Sequence, residues 1–310
     1  MIGKFWESVG GKLAERWAAA AGPALVFWTG GLLAWTYGHG GWSSLGTLGT
    51  WLQGRAAAVQ VVVLVGLLIG VLASGMAVKA AAGSALRVLE GYLPRWLAPV
   101  RRALVRRVAR AADRRNARLQ VLAPAVLEGT ATAEEQARFQ QLDRARRRVP
   151  SSPERLMPTR VGNTLRAAES RPVDKYGLDP VAVWPHLWLL LPEHVRTELL
   201  TARAAVDSAV MGLLWALLSA GFTVWTWWAL PVALGTAALA LLVWLPARAA
   251  TFGDLFEAAF DLHRLDLYRQ LRRPLPAGPG DEASAGRGLT RYLVRGASAG
   301  EPAFVPAEAP

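Results

Sequence analysis

The sequence predicts an all-α integral membrane protein: two transmembrane helical hairpins flanking a basic helical cytosolic domain, then a C-terminal amphipathic helix and a disordered tail. Three observations predict it. The 310-residue chain is 53% hydrophobic and gathers that character into long runs almost free of charge, as a bilayer crossing requires. Positive charge is concentrated between those runs. Gly83 to Arg203 holds 22 Lys and Arg against 12 Asp and Glu, which is +10 of the chain's net +12, whereas the residues after Leu241 carry eight of each sign. Tryptophan gathers at the ends of the runs, where amphipathic rings favour a membrane–water interface.

Residues 1–17 read as a short mixed-charge lead with Lys4, Lys12 and Arg16. A basic start before an apolar run resembles a signal peptide, but no small-residue cleavage pattern follows Tyr37, so 18–37 is expected to be an uncleaved first span. Residues 38–55, rich in Gly, Ser and Thr, form the outer loop. The second span, 56–79, has no ionisable side chain before Lys79. Spans three and four, 205–228 and 231–247, make one apolar block too long for a single crossing of a ~30 Å core. Pro231 is the expected turn.

Between the hairpins, 83–203 reads as a basic helical cytosolic domain. Leu86, Leu89, Leu93, Leu97, Val100, Leu104 and Val108 recur at helical spacing, with Pro94 and Pro99 expected to restart the run. Thr132 and Glu135 have capping-box spacing before a second helix. Pro150, Pro153 and Pro158 then make a linker. Residues 248–273 read as one amphipathic helix with Phe252, Phe256, Phe260 and His263 on a face, and Asp261/Arg264 and Asp266/Arg269 paired at i,i+3. Residues 274–310, dominated by Pro, Gly, Ala and Ser, read as a disordered tail.

Orientation follows from charge. The outer loop carries one arginine, Arg55, and the turn near Pro231 carries none, so both termini and the middle domain are expected on the cytosolic side of the inner (plasma) membrane. Tryptophan supports this with an outer group at 35, 42, 51, 225, 227 and 228 and an inner group at 17, 96, 184, 188 and 244.

The segments VGNTLRAAE…YGLDPVAVWPHLW and FDLHRLDLYRQL resemble parts of a widespread group of uncharacterised bacterial four-span integral membrane proteins. The resemblance covers about a fifth of the chain. It implies the same two-hairpin layout and brings no activity or ligand residues.

Chemistry-bearing motifs are few. Without cysteine, thiolate metal sites and cysteine nucleophiles are excluded. The four histidines are scattered, and no Walker-type loop, G-x-S-x-G or carboxylate pair lies in the spans. No catalytic residue, metal or cofactor is expected, and the chain reads as non-enzymatic. The strongest feature is an arginine ladder, Arg102, Arg106, Arg110, Arg114 and Arg118, with Arg101, Arg107 and Arg115 beside it. Its candidate partners are anionic lipid, nucleic acid or a nucleotide, an acidic protein, or the chain's own acids. Gly66, Gly70 and Ser74 form a small-residue ladder for helix packing, within the chain or between copies in a homo-oligomer. Two functions are therefore expected. One is a homo-oligomeric, pore- or channel-like membrane effector responding to an anionic signal. The other is a non-conducting anchor or scaffold whose basic domain binds lipid or recruits a protein.

Overall fold

The computed structural model describes residues 22–297 and 303–305, and no strand occurs among them. Three helical stretches are long and apolar enough to cross a membrane, Ala57–Leu127, Glu193–Val224 and Ala229–Gln270. The protein is thus helical and membrane-type in character. The expected lead and part of the first expected span lie outside the described residues.

The chain divides into two units. The first comprises the described residues up to Leu86 together with Asp207–Leu245. It contains α1 (residues 22–38), α2 (Ser43–Gln53), most of α3 (Ala57–Glu90), the second half of α8 (Glu193–Ser219) and α9 (Ala229–Leu239). One buried cluster joins Ala24, Val78 and Trp215, with Phe27, Val71, Met211 and Leu214 against them, and Val210, Leu213 and Leu245 are buried as well. Many other large apolar side chains face outward, with Val62 70% and Leu67 63% exposed on α3. Water penalises such exposure and lipid does not.

Two expectations for this unit are corrected. The stretch 38–55 is not a plain loop, because it carries α2. Gly40 and Gly41 take positive φ to turn the chain, and hydroxyls of Ser44, Thr47 and Thr50 then donate to carbonyls three or four residues back. Those bonds satisfy the hydroxyls locally, within a helix where the composition suggested a loop. The turn between the last two apolar helices also falls earlier than Pro231. A 3-10 turn at Ala220–Val224 ends the preceding helix and α9 starts at Ala229. Pro231 sits in the first turn of α9, where its missing N–H has no intrahelical acceptor to lose.

The second unit comprises Arg87–Val206 and the residues from Pro246 onward. Gly91, at φ 102°, ends α3. Pro94 and Pro99 restart the chain as expected, and α4 runs Ala98–Leu127. Helix α5 (Ala133–Arg146) opens with the expected capping box at Thr132 and Glu135. Helices α6 (Arg160–Tyr176) and α7 (Pro180–Leu190), the start of α8, α10 (Leu245–Gln270) and α11 (Pro279–Arg295) complete the unit.

Its core gathers Leu178, Val183, Leu187, Leu191, Leu199, Phe256, Phe260, Leu267 and Leu289. The Phe face of 248–273 is therefore turned into a core, with Phe260 fully buried. Trp184 and Trp188 pack partly buried on the same core, and the Trp184 and Phe256 ring centroids lie 4.5 Å apart. The expected Asp266/Arg269 pair forms at 2.9 Å. Arg264 instead reaches Glu282 at 2.5 Å, because Asp261 is taken by Lys175 and Tyr176.

The tail expectation is corrected over Pro279–Arg295. Helix α11 packs there because two glycines admit its backbone. A Cβ on Gly286 would lie 1.8 Å from the Tyr176 carbonyl, and one on Gly177 (φ 68°) 2.1 Å from that of Ala283. The Asp179 N–H donates to Thr290 Oγ1 at 3.1 Å, and Leu289 is buried. Composition argued for disorder; close packing overrides it.

Candidate anion-binding site

Helix α4 carries all eight candidate arginines. Intrinsic propensity supports this helix, since Ala, Leu and Arg are good formers, although like charges four apart oppose it by roughly 0.2–0.5 kcal/mol per pair. What the repulsion implies depends on whether acids lie close by. Arg101, Arg102, Arg106, Arg107, Arg110, Arg114 and Arg118 are all exposed. Among the described residues none of them has a carboxylate partner. One internal hydrogen bond is made, from Arg110 Nε to the Arg106 carbonyl at 3.3 Å. At 100° per residue, the ladder from Arg102 to Arg118 fans over an arc of ~160°. Leu119, on the opposite side, is buried.

Several acids of this unit are engaged elsewhere, and Asp113, exposed on α4 itself, is the acid nearest the ladder in sequence. Asp254 receives both terminal nitrogens of Arg148, at 2.7 and 2.8 Å. Glu257 holds Arg171 and Lys175, Asp261 holds Lys175 at 3.1 Å, and Asp174 holds Arg155 at 3.1 Å. Asp143 accepts from Arg146 and Arg147 within α5 and its cap. Among the described residues, the expected pairing of the ladder with the chain's own acids is not seen as an ion pair.

Arg115 departs from the stripe. It is half-buried and its Nη1 donates to the Ala145 carbonyl at 3.2 Å. It lines a cleft of about 570 Å³ between α4, the end of α5 and α6, together with Arg146, Arg147 and Arg171. These three were not singled out as site residues; the run RARRR at 144–148 was the available signal. Burial lowers the Arg171 pKa, opposed first by Asp254, while the charges of Arg147 and Arg148 push it lower still.

No protein family, curated protein or solved structure matches the chain. The two-segment resemblance noted above rests on those residues alone.

The small-residue ladder is split. Ser74 Oγ accepts from Trp28 Nε1 at 3.0 Å and donates to the Val71 carbonyl, so its end packs within the first unit. A Cβ added at Gly66 or Gly70 would meet nothing within 4 Å.

Proposed function

We propose that this chain is a four-span membrane anchor or scaffold with both termini and the second unit cytosolic, and that α4 grips anionic headgroups of the inner leaflet. The observation that carries this reading is the exposed arginine stripe without acidic partners. Chain order supports a lipid target. The stripe starts shortly after α3, and between them Tyr92 is 54% and Trp96 76% exposed. Apolar span, aromatic residues, then basic residues is the order an inner interface favours. Each arginine near an anionic leaflet contributes ~1 kcal/mol. A flat surface meets about half of the fan, so the stripe contributes roughly 3–4 kcal/mol, reduced by salt. That is weak for a free protein and ample for one already tethered by its spans.

A second reading, a homo-oligomeric pore gated by an anionic signal, draws on the uncovered Gly66–Gly70 face, which is shaped for close helix approach. Particle size in detergent separates the two. A monomer unaffected by Gly70→Leu supports the anchor.

The lipid claim is tested with the full chain in neutral detergent. Phosphatidylglycerol, but not phosphatidylcholine, should raise its melting temperature by mass action, and Arg106→Gln with Arg110→Gln should reduce that rise. An oligonucleotide should give no binding with the salt slope of about −0.7 per phosphate expected for a single strand. A steep slope flattened by the same substitutions would transfer the stripe to nucleic acid.

A further inference from the structure

We infer that the cleft beneath Arg115 is a separate site for a compact multivalent phosphate group. Four guanidinium groups from three neighbouring segments line it: Arg115 on α4, Arg146 and Arg147 at the end of α5, and Arg171 on α6. Their internal partners leave charge over. Arg115 donates to a neutral carbonyl, and Arg146 and Arg147 share the single carboxylate of Asp143. Arg171 is satisfied by Glu257 and the Arg147 carbonyl. The one acid in the wall, Asp174, is already bound by Arg155 and by Ser151 at 2.5 Å. Two positive charges therefore remain without a counter-charge around the opening. Planar guanidinium groups converging from several directions suit the several oxygens of a phosphate better than a single carboxylate.

Size agrees with this chemistry. About 570 Å³ lies within the ~300–1,000 Å³ of small-molecule sites, and exceeds what a bare phosphate needs. The occupant is thus a phosphorylated small molecule or the phosphomonoester headgroup of a lipid. A larger cleft of about 880 Å³ in the same unit has no such preference. Its Arg166 is paired with Glu169, its Asp179 caps α7, and charges of both signs line it.

The site differs from the stripe in depth and in residues, sharing only the helix. Inorganic pyrophosphate is the probe, titrated calorimetrically at constant ionic strength into the full chain in phosphatidylcholine nanodiscs. The expected result is one saturable site per chain, weakened about tenfold by Arg146→Gln and by Arg115→Gln, and unchanged by Arg107→Gln on the stripe. Arg146 is largely exposed and pairs only with Asp143, so its replacement tests the site even where Arg115→Gln disturbs folding. A parallel arm asks for preference for nanodiscs containing phosphatidate over phosphatidylglycerol, by melting temperature. A phosphatidate preference removed by Arg146→Gln, without pyrophosphate binding, assigns the site to a lipid headgroup. Absence of both signals, or equal loss of pyrophosphate binding in Arg107→Gln, overturns the inference and leaves the stripe proposal standing.

Discussion

Three residues show how local chemistry sets the second unit. Asn163 is buried, accepts from the Met157 N–H at 2.9 Å, and donates to the Met157 and Thr159 carbonyls at 2.6 Å each. Asn163→Ala strands backbone groups in a dry site and should cost at least about 1–3 kcal/mol, read as a lower melting temperature in detergent. Gly162 is as constrained, since an added Cβ would stand 1.9 Å from the Glu90 carbonyl. Tyr176 gives a pH prediction. Burial first, then its hydrogen bond to Asp261, raises its pKa from 10.0 to about 12. A raised folded pKa means stability is complete below the unfolded value and is lost as pH climbs toward the folded one. Alkaline destabilisation between pH 10 and about 12 should therefore be shallower in Tyr176→Phe, followed by circular dichroism. The Thr132–Glu135 box was legible because both partners lie within one turn. Asn163 was not, because its partners are backbone groups of a turn that no local pattern announces.

Elements were legible where one physical term dominates. A charge-free run such as 56–78 can hardly be anything but a membrane-type helix, and prolines 94 and 99 fix where α4 starts. Elements held by packing were hidden. Helix α2 turns its hydroxyls back onto carbonyls three residues earlier, and α11 depends on two glycines that let it approach α6 and its following turn. Neither signals itself by period or propensity. The arginine stripe was readable from spacing, but its isolation from acids was not. Asp254, Glu257 and Asp261 pair instead with Arg148, Arg171 and Lys175 from distant parts of the chain, which spacing along α4 does not announce. Docking of α11 has a direct test. Trypsin should cut slowly after Arg287 and Arg291 in the native chain and rapidly in Gly286→Val, which cannot approach Tyr176. Equal, rapid cleavage of both would contradict a docked helix.

At the scale of the whole molecule, an apolar first unit is coupled in one chain to a second unit with a defined core and an uncompensated cationic helix. The absence of cysteine makes topology straightforward to measure. Ser43 and Thr130 are exposed. A cysteine at Ser43 should react with an impermeant reagent from outside the cell, and one at Thr130 only after permeabilisation. The central claim, that α4 rests on anionic lipid, is tested most directly by a water-sensitive fluorophore on a cysteine at Ala103, which lies within the arginine arc. The labelled full chain is reconstituted in phosphatidylcholine vesicles with increasing phosphatidylglycerol, and quenching by a neutral aqueous quencher is measured. The account predicts growing protection as anionic lipid increases, abolished by high salt or by Arg106→Gln with Arg110→Gln. Quenching that ignores lipid charge, or falls only when oligonucleotide is added, would contradict it.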